Sequence, residues 1–168
     1  MNNPPLVLVT GASGFIAGHV VQQLCIKGYR VRGTVRKISK DHQYIYDLST
    51  DKNTRPIELF ECDLSSDKNW DNAIQGCDYV IHTANVMPPA KGEKNLTEKD
   101  YTEPVMKGME RILNVCLANR NTIKRVVYTT SVAAMDVEGK NLPKERQEVT
   151  FLTSKDWTPL DKPDYFVN

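Results

Sequence analysis

Several features are scarce in this sequence, and each scarcity removes a class of function. No uninterrupted apolar stretch approaches the roughly 20 residues of a membrane-spanning helix, and Met1-Asn2-Asn3-Pro4-Pro5 has neither the basic start nor the apolar middle of a secretory signal. The expectation is a cytosolic protein with no membrane partner. Charge of one sign is not in excess: 22 Lys and Arg against 21 Asp and Glu are spread along the chain, which leaves no basic stripe for nucleic acid. Cysteine is sparse. Cys25, Cys62, Cys77 and Cys116 stand far apart in largely apolar segments, without metal-ligand spacing. Reduced core thiols are expected, and no metal site. Repeats and low-complexity linkers are lacking as well, and 168 residues with 40% hydrophobic content suit one compact domain rather than two.

The informative segment is Leu6-Val7-Leu8-Val9-Thr10-Gly11-Ala12-Ser13-Gly14-Phe15-Ile16-Ala17. It reads as a buried strand breaking into a glycine turn that opens a helix. Gly11 permits a tight turn, Gly14 lets backbone approach a pyrophosphate, and Ala17 allows close packing of helix on strand. Such a turn sets phosphates at a helix N-terminus, where free N–H groups and the dipole favour anions. Ile16, Val20 and Leu24, with Val21 and Cys25, follow at helical spacing, and Lys27-Gly28 supplies a stop. A dinucleotide cofactor is the reading, with Gly11, Ser13, Gly14, Phe15 and Ile16 around its phosphates.

Further strands are expected at residues 30–36, 57–62, 78–83 and 125–130. Helical patterns lie between them, one with Trp70 and Ile74 and another notable for Val105, Met109, Ile112, Leu113, Cys116 and Leu117. Strands alternating with helices imply an α/β fold, a doubly wound parallel sheet of Rossmann type with its crevice at the carboxyl ends of the strands. The stretch after the second strand reads as polar loop, and residues 138–163 are weakly patterned. After the second strand stands Arg36, with Lys37 and Lys40 close by and no acid before Asp41. A ribose 2′-phosphate would meet positive charge there, so NADP(H) is favoured over NAD.

With these residues in place, the chain resembles the extended short-chain dehydrogenase/reductases, in the group of dihydroflavonol reductases, cinnamoyl-CoA reductases and fungal methylglyoxal reductases. The resemblance rests on residues 9–17, 31–36, Asp63-Leu64, 125–131 and Tyr165-Phe166-Val167, in order and spacing. It implies an NADPH-dependent reductase of a small-molecule carbonyl. Asp63 and Leu64 would sit beside the adenine, and the strand end at His82, Thr83 and Ala84 would run beneath the cofactor. Read alone, Asp63 could equally begin the helix of Trp70. Family members usually differ from this chain at Ala84-Asn85-Val86. Ser131 matches the family's serine, which hydrogen-bonds the substrate carbonyl, and Tyr165 matches the tyrosine that donates the proton.

In the family a lysine four residues after that tyrosine lowers its pKa and holds the nicotinamide ribose. None of the seven tyrosines here has a lysine at that spacing within the 168 residues. The resemblance therefore implies a Rossmann domain over residues 1–168, truncated before the substrate-binding portion. Little turnover is expected of it alone, and its uncovered sheet invites self-association. Two other readings stand beside the reductase: a non-catalytic NADP(H)-binding sensor or regulator, and a nucleotide-sugar epimerase-like enzyme.

Overall fold

All five residues of Leu6–Thr10 are buried, as a strand covered on both faces requires. In the computed structural model of the chain this strand, β1, is the centre of the sheet. Residues 3–49, 56–86, 97–135, 154, 155 and 157 are described. The elements after β1 are α1 (Phe15–Ile26), β2 (Arg30–Val35), a 3-10 turn (Lys40–His42) leading into α2 (Gln43–Asp47), β3 (Glu58–Glu61), α3 (Trp70–Ile74), β4 (Tyr79–His82), α4 (Glu98–Ala118) and β5 (Arg125–Tyr128). All strand pairings are parallel, in the order β3-β2-β1-β4-β5. This is the Rossmann-type doubly wound sheet expected from the alternation of strands and helices. The chain divides into two compact units, residues 1–128 and 129–168, and the sheet with its helices belongs to the first.

Alternation along β1 builds the two cores. Leu6 and Leu8 face one side with Val80, Trp70, Ile74, Ile112 and Cys116. Val7 and Val9 face the other with Val31, Val35, Val21, Cys25 and Ile45. All four cysteines are buried and free. Arg32 on β2 ties the first core to the sheet from its rim. Its guanidinium donates to the carbonyls of Ala73 and Gln75, both at 2.9 Å. It forks onto Glu58 at 3.0 and 2.8 Å and lies over the Phe60 ring. At the opposite end of the strands from the carboxyl crevice, Asp78 accepts the Leu6 N–H at 2.9 Å and the Lys124 ammonium at 2.7 Å, clipping β1 and β5 to β4.

One element departs from the expectation, and two others are made more definite by the structure. The buried stripe of α1 is Ala17, Val21 and Cys25, whereas Ile16 is 58% exposed and Val20 and Leu24 are half-buried. The small Ala17 lets the helix lie close to the sheet, as expected of it, and of the expected apolar positions Val21 and Cys25 meet the core fully while Val20 and Leu24 pack at its margin. The expected loop after β2 contains α2, reached through a 3-10 turn that a Ser39–His42 capping box starts, and held by the fully buried Ile45. α4 begins at Glu98, before Val105, because a Thr97–Asp100 capping box starts it and Pro104 is carried inside.

Candidate functional site

Between β1 and α1 the chain makes its turn at Gly11–Gly14. Gly11 has a φ of +67°, where a Cβ is penalised, and a Cβ there would also stand 3.2 Å from the Ala84 Cα. The Gly14 N–H donates to the Gly11 carbonyl at 2.8 Å and closes the turn. Gly14 is the N-cap of α1, with no side-chain cap and no acid in the first turn, so the amide end of the helix is left for an anion.

The turn is braced from below and from the side. Ala12 N–H donates to the Thr34 carbonyl at 2.8 Å and Gly11 N–H to the Thr34 hydroxyl at 3.2 Å. A Cβ on Gly33 of β2 would come within 2.7 Å of the Ala12 Cβ and 2.9 Å of the Leu59 Cδ2, so the turn lies this low only because β2 carries a glycine beneath it. The Tyr44 hydroxyl, from α2, donates to the Ser13 carbonyl at 3.0 Å.

Order switches between β1 and β4, which is where a crevice opens in such sheets, and one hydroxyl fixes its floor. Thr10 Oγ1 accepts the N–H groups of Thr83 and Ala84, both at 3.1 Å, and lies 2.7 Å from His82 Nδ1. With two donors already pointing at it, the hydroxyl gives its own proton to Nδ1. His82 is therefore a neutral imidazole with its proton on Nε2. Burial agrees, pushing its pKa down to about 4, and the ring stacks on Tyr128 at 5.4 Å. Thr83 spends its hydroxyl on the Thr10 carbonyl at 2.5 Å.

The remaining wall follows β3. Asp63 accepts both the backbone N–H and the hydroxyl of Ser65, at 2.8 and 2.7 Å. These bonds, led by the hydroxyl, lower its pKa, and the charges of Arg36 and Arg111 add to the effect. Asp63 thus shapes its own turn; α3 starts later, with Asn69 as its N-cap. Trp70 Nε1 donates to the carbonyls of Asp63 and Ser66 at 3.0 and 2.9 Å, and Arg111 of α4 holds the Leu64 carbonyl and Asp67. Cys62 also lines this wall. Burial pushes its thiol up to about 12, which rules out a nucleophilic thiolate at neutral pH.

These walls enclose a cavity of about 480 Å³. Of the residues singled out from sequence, Gly11, Ser13, Gly14, Arg36, Asp63, Leu64, Thr83 and Ala84 line it. Phe15 and Ile16 point outward, 84% and 58% exposed, and Lys37 and Lys40 stand exposed on the loop beyond Arg36. Arg36 has no ion pair among the described residues. Ser131 is in the second unit, where its carbonyl accepts the Ala134 N–H at 3.0 Å; Tyr165 lies outside the described residues. Sequence reasoning did not place Thr34, Val35, Cys62, Ser65 and Trp70 in the lining, nor Tyr44 behind it, while Asn85 and Val86, where the chain differs from the family, line it too. Among the described residues no cluster of metal-ligating side chains occurs, and no helix is long and apolar enough to cross a membrane.

Residues 7–156 match the model of the NAD dependent epimerase/dehydratase family. The chain belongs to this family. Among the curated members it resembles are dihydroflavonol 4-reductase of Callistephus chinensis, 33% identical over 94% of this chain and 43% of that protein, and cinnamoyl-CoA reductase CAD2 of Medicago truncatula, 33% identical over 97% of this chain and 49% of that one. Among solved structures, Gre2 of Candida albicans in complex with NADPH superposes with a TM-score of 0.70 at 30% identity, covering 98% of this chain and 47% of that one. The chain thus spans less than half the length of each of these family members.

Proposed function

We propose that the chain is the cofactor-binding portion of an NADPH-dependent reductase that converts an aldehyde or ketone to an alcohol. The observation that carries the reading is Arg36, a guanidinium without an ion pair among the described residues, lining the same cavity as the glycine turn. The cavity suits a ligand with phosphate at both ends of its adenosine half. Glycine without side chains at positions 11 and 14, and an uncapped helix end, accommodate the pyrophosphate. Arg36 answers a 2′-phosphate with a planar fork of donors. The family's description names NAD; Arg36 and the likeness to an NADPH-bound structure support NADPH for this member. Lys37 and Lys40 add positive charge outside the cavity, and Leu64 offers an apolar surface to the adenine beside Asp63.

Bound NADPH would supply a hydride from C4 of its nicotinamide. Ser131 would orient the carbonyl by hydrogen bonding its oxygen, and Tyr165 would deliver the proton to that oxygen as the alcohol forms. Tyr165 needs a lysine four residues on to lower its pKa.

Titration of the 168-residue chain with NADPH and with NADH, read by quenching of the buried Trp70, tests the binding. NADPH should bind at least tenfold more tightly. Replacing Arg36 with Ala should erase the difference by removing a charge-assisted contact of about 1.5–3 kcal/mol. Equal affinity for the two nucleotides in the wild type would overturn the assignment.

A further inference from the structure

The loop that carries Arg36 is held by a residue with no place in the reading above. Glu61, the last residue of β3, pairs in register with Val35, and its side chain accepts the Ile38 N–H at 2.8 Å. Glu61 is itself a fixed post: its carbonyl accepts the Asn69 side-chain amide at 2.9 Å, and the next residue, Cys62, donates its N–H to the Val35 carbonyl at 2.9 Å. Ser39 N–H, one residue beyond Ile38, is taken by His42 Nδ1 at 3.2 Å. Two consecutive backbone donors that could have faced an anion are thus turned to internal acceptors, and the loop is left to read an anion through the side chain of Arg36.

We infer that Glu61 is a specificity-determining positioning residue, fixing the backbone two residues past Arg36 so that its guanidinium stays on the cavity wall and separates 2′-phosphorylated from unphosphorylated dinucleotides. The inference rests on the NADPH reading. A carboxylate near a phosphate-reading loop would by charge alone weaken an anion, so its presence there is explained by the hydrogen bond it makes. Removing the acceptor frees the Ile38 amide and slackens the loop between β2 and the capping box at Ser39. The pyrophosphate turn has its own braces at Thr34 and Tyr44, so it should not feel the change. The effect of Glu61 therefore falls on the ratio of the two affinities and not on dinucleotide binding in general.

The experiment is titration of the full 168-residue chain with NADPH and NADH in the wild type, Glu61→Ala, Glu61→Gln and Arg36→Ala. Glu61→Ala should weaken NADPH about three- to tenfold, as one lost hydrogen bond does, with NADH within about twofold of wild type. Glu61→Gln keeps an acceptor oxygen and drops the charge, so it should hold NADPH at least as tightly as wild type. An unchanged ratio in Glu61→Ala, an equal loss for both nucleotides, or Gln behaving like Ala would each overturn the inference. Should Glu61→Ala fail to fold, the Gln variant still decides, because a loss of discrimination there refutes the positioning role. If instead the wild type does not discriminate, or Arg36→Ala leaves its discrimination intact, the reading of Arg36 itself falls.

Discussion

His82 provides the sharpest test of the reasoning, because its protonation state follows from one hydroxyl. Thr10 already receives two N–H groups and so donates to Nδ1, and the ring is 2% exposed. Protonation would set two donors face to face in a buried site. Burial lowers the pKa from 6.5 to about 4. In that window the unfolded chain binds a proton that the native one refuses, so stability is complete above the unfolded value and is lost as pH falls toward the folded one. At about 1.4 kcal/mol per unit, the loss attributable to this residue is about 3 kcal/mol. Asp63, Asp78 and Asp100 also have lowered pKa values. Their contributions are lost below the unfolded carboxylate value and are common to both proteins compared. The assay is urea unfolding followed by Trp fluorescence between pH 7 and pH 4, on wild type and on His82→Gln, which keeps an acceptor for Thr10 but cannot titrate. The variant should begin less stable and lose about 3 kcal/mol less over the range. Parallel stability curves for the two proteins would refute the argument.

Three further outcomes follow from the packing. Gly33→Ala places a methyl 2.7 Å from the Ala12 Cβ and should cost about 1–3 kcal/mol, with NADPH affinity falling too because the turn is lifted; urea melts and titration check both. Thr10→Val keeps the shape but orphans the Thr83 and Ala84 amides and His82 Nδ1, so a loss of about 2–4 kcal/mol is expected, largely restored by Thr10→Ser. Arg32→Lys retains the charge and loses the fork that joins Glu58 to the end of α3; a loss of about 1–3 kcal/mol is expected by thermal unfolding.

The strands were legible because a parallel sheet buries whole apolar runs: Leu6–Val9 reads as buried from composition alone, and the glycines after it announce the turn. Helix faces were less so. Ala17, Val21 and Cys25 could be named but not ranked above Ile16, Val20 and Leu24, which share the helical spacing; the close approach of α1 to the sheet buries the first three fully and leaves Ile16 exposed. α2 was hidden because its one fully buried side chain, Ile45, stands among polar neighbours, and the capping box of the 3-10 turn before it uses a histidine at a place where Glu or Gln is the usual signal. Lining residues near the glycine turn and Arg36 could be named because local pattern carries them. Thr34, Tyr44 and Glu61 could not, because each acts on a segment at least 23 residues away, and no local spacing encodes such a partner.

β1 is both the earliest of the five sheet strands in chain order and the middle strand of the finished sheet. Its partner on one side, β2, follows within about one helical hairpin's length of chain, but its partner on the other, β4, ends at His82, and the Thr10–His82 contact closes over 72 residues. Until that stretch has been synthesised, the nascent chain carries Leu6–Thr10 with an unpaired edge and apolar side chains on both faces. Such a segment invites intermolecular pairing. Overexpression should therefore lose material to aggregation during translation, before any native surface exists, and slowing synthesis across residues 36–82 should make that loss worse.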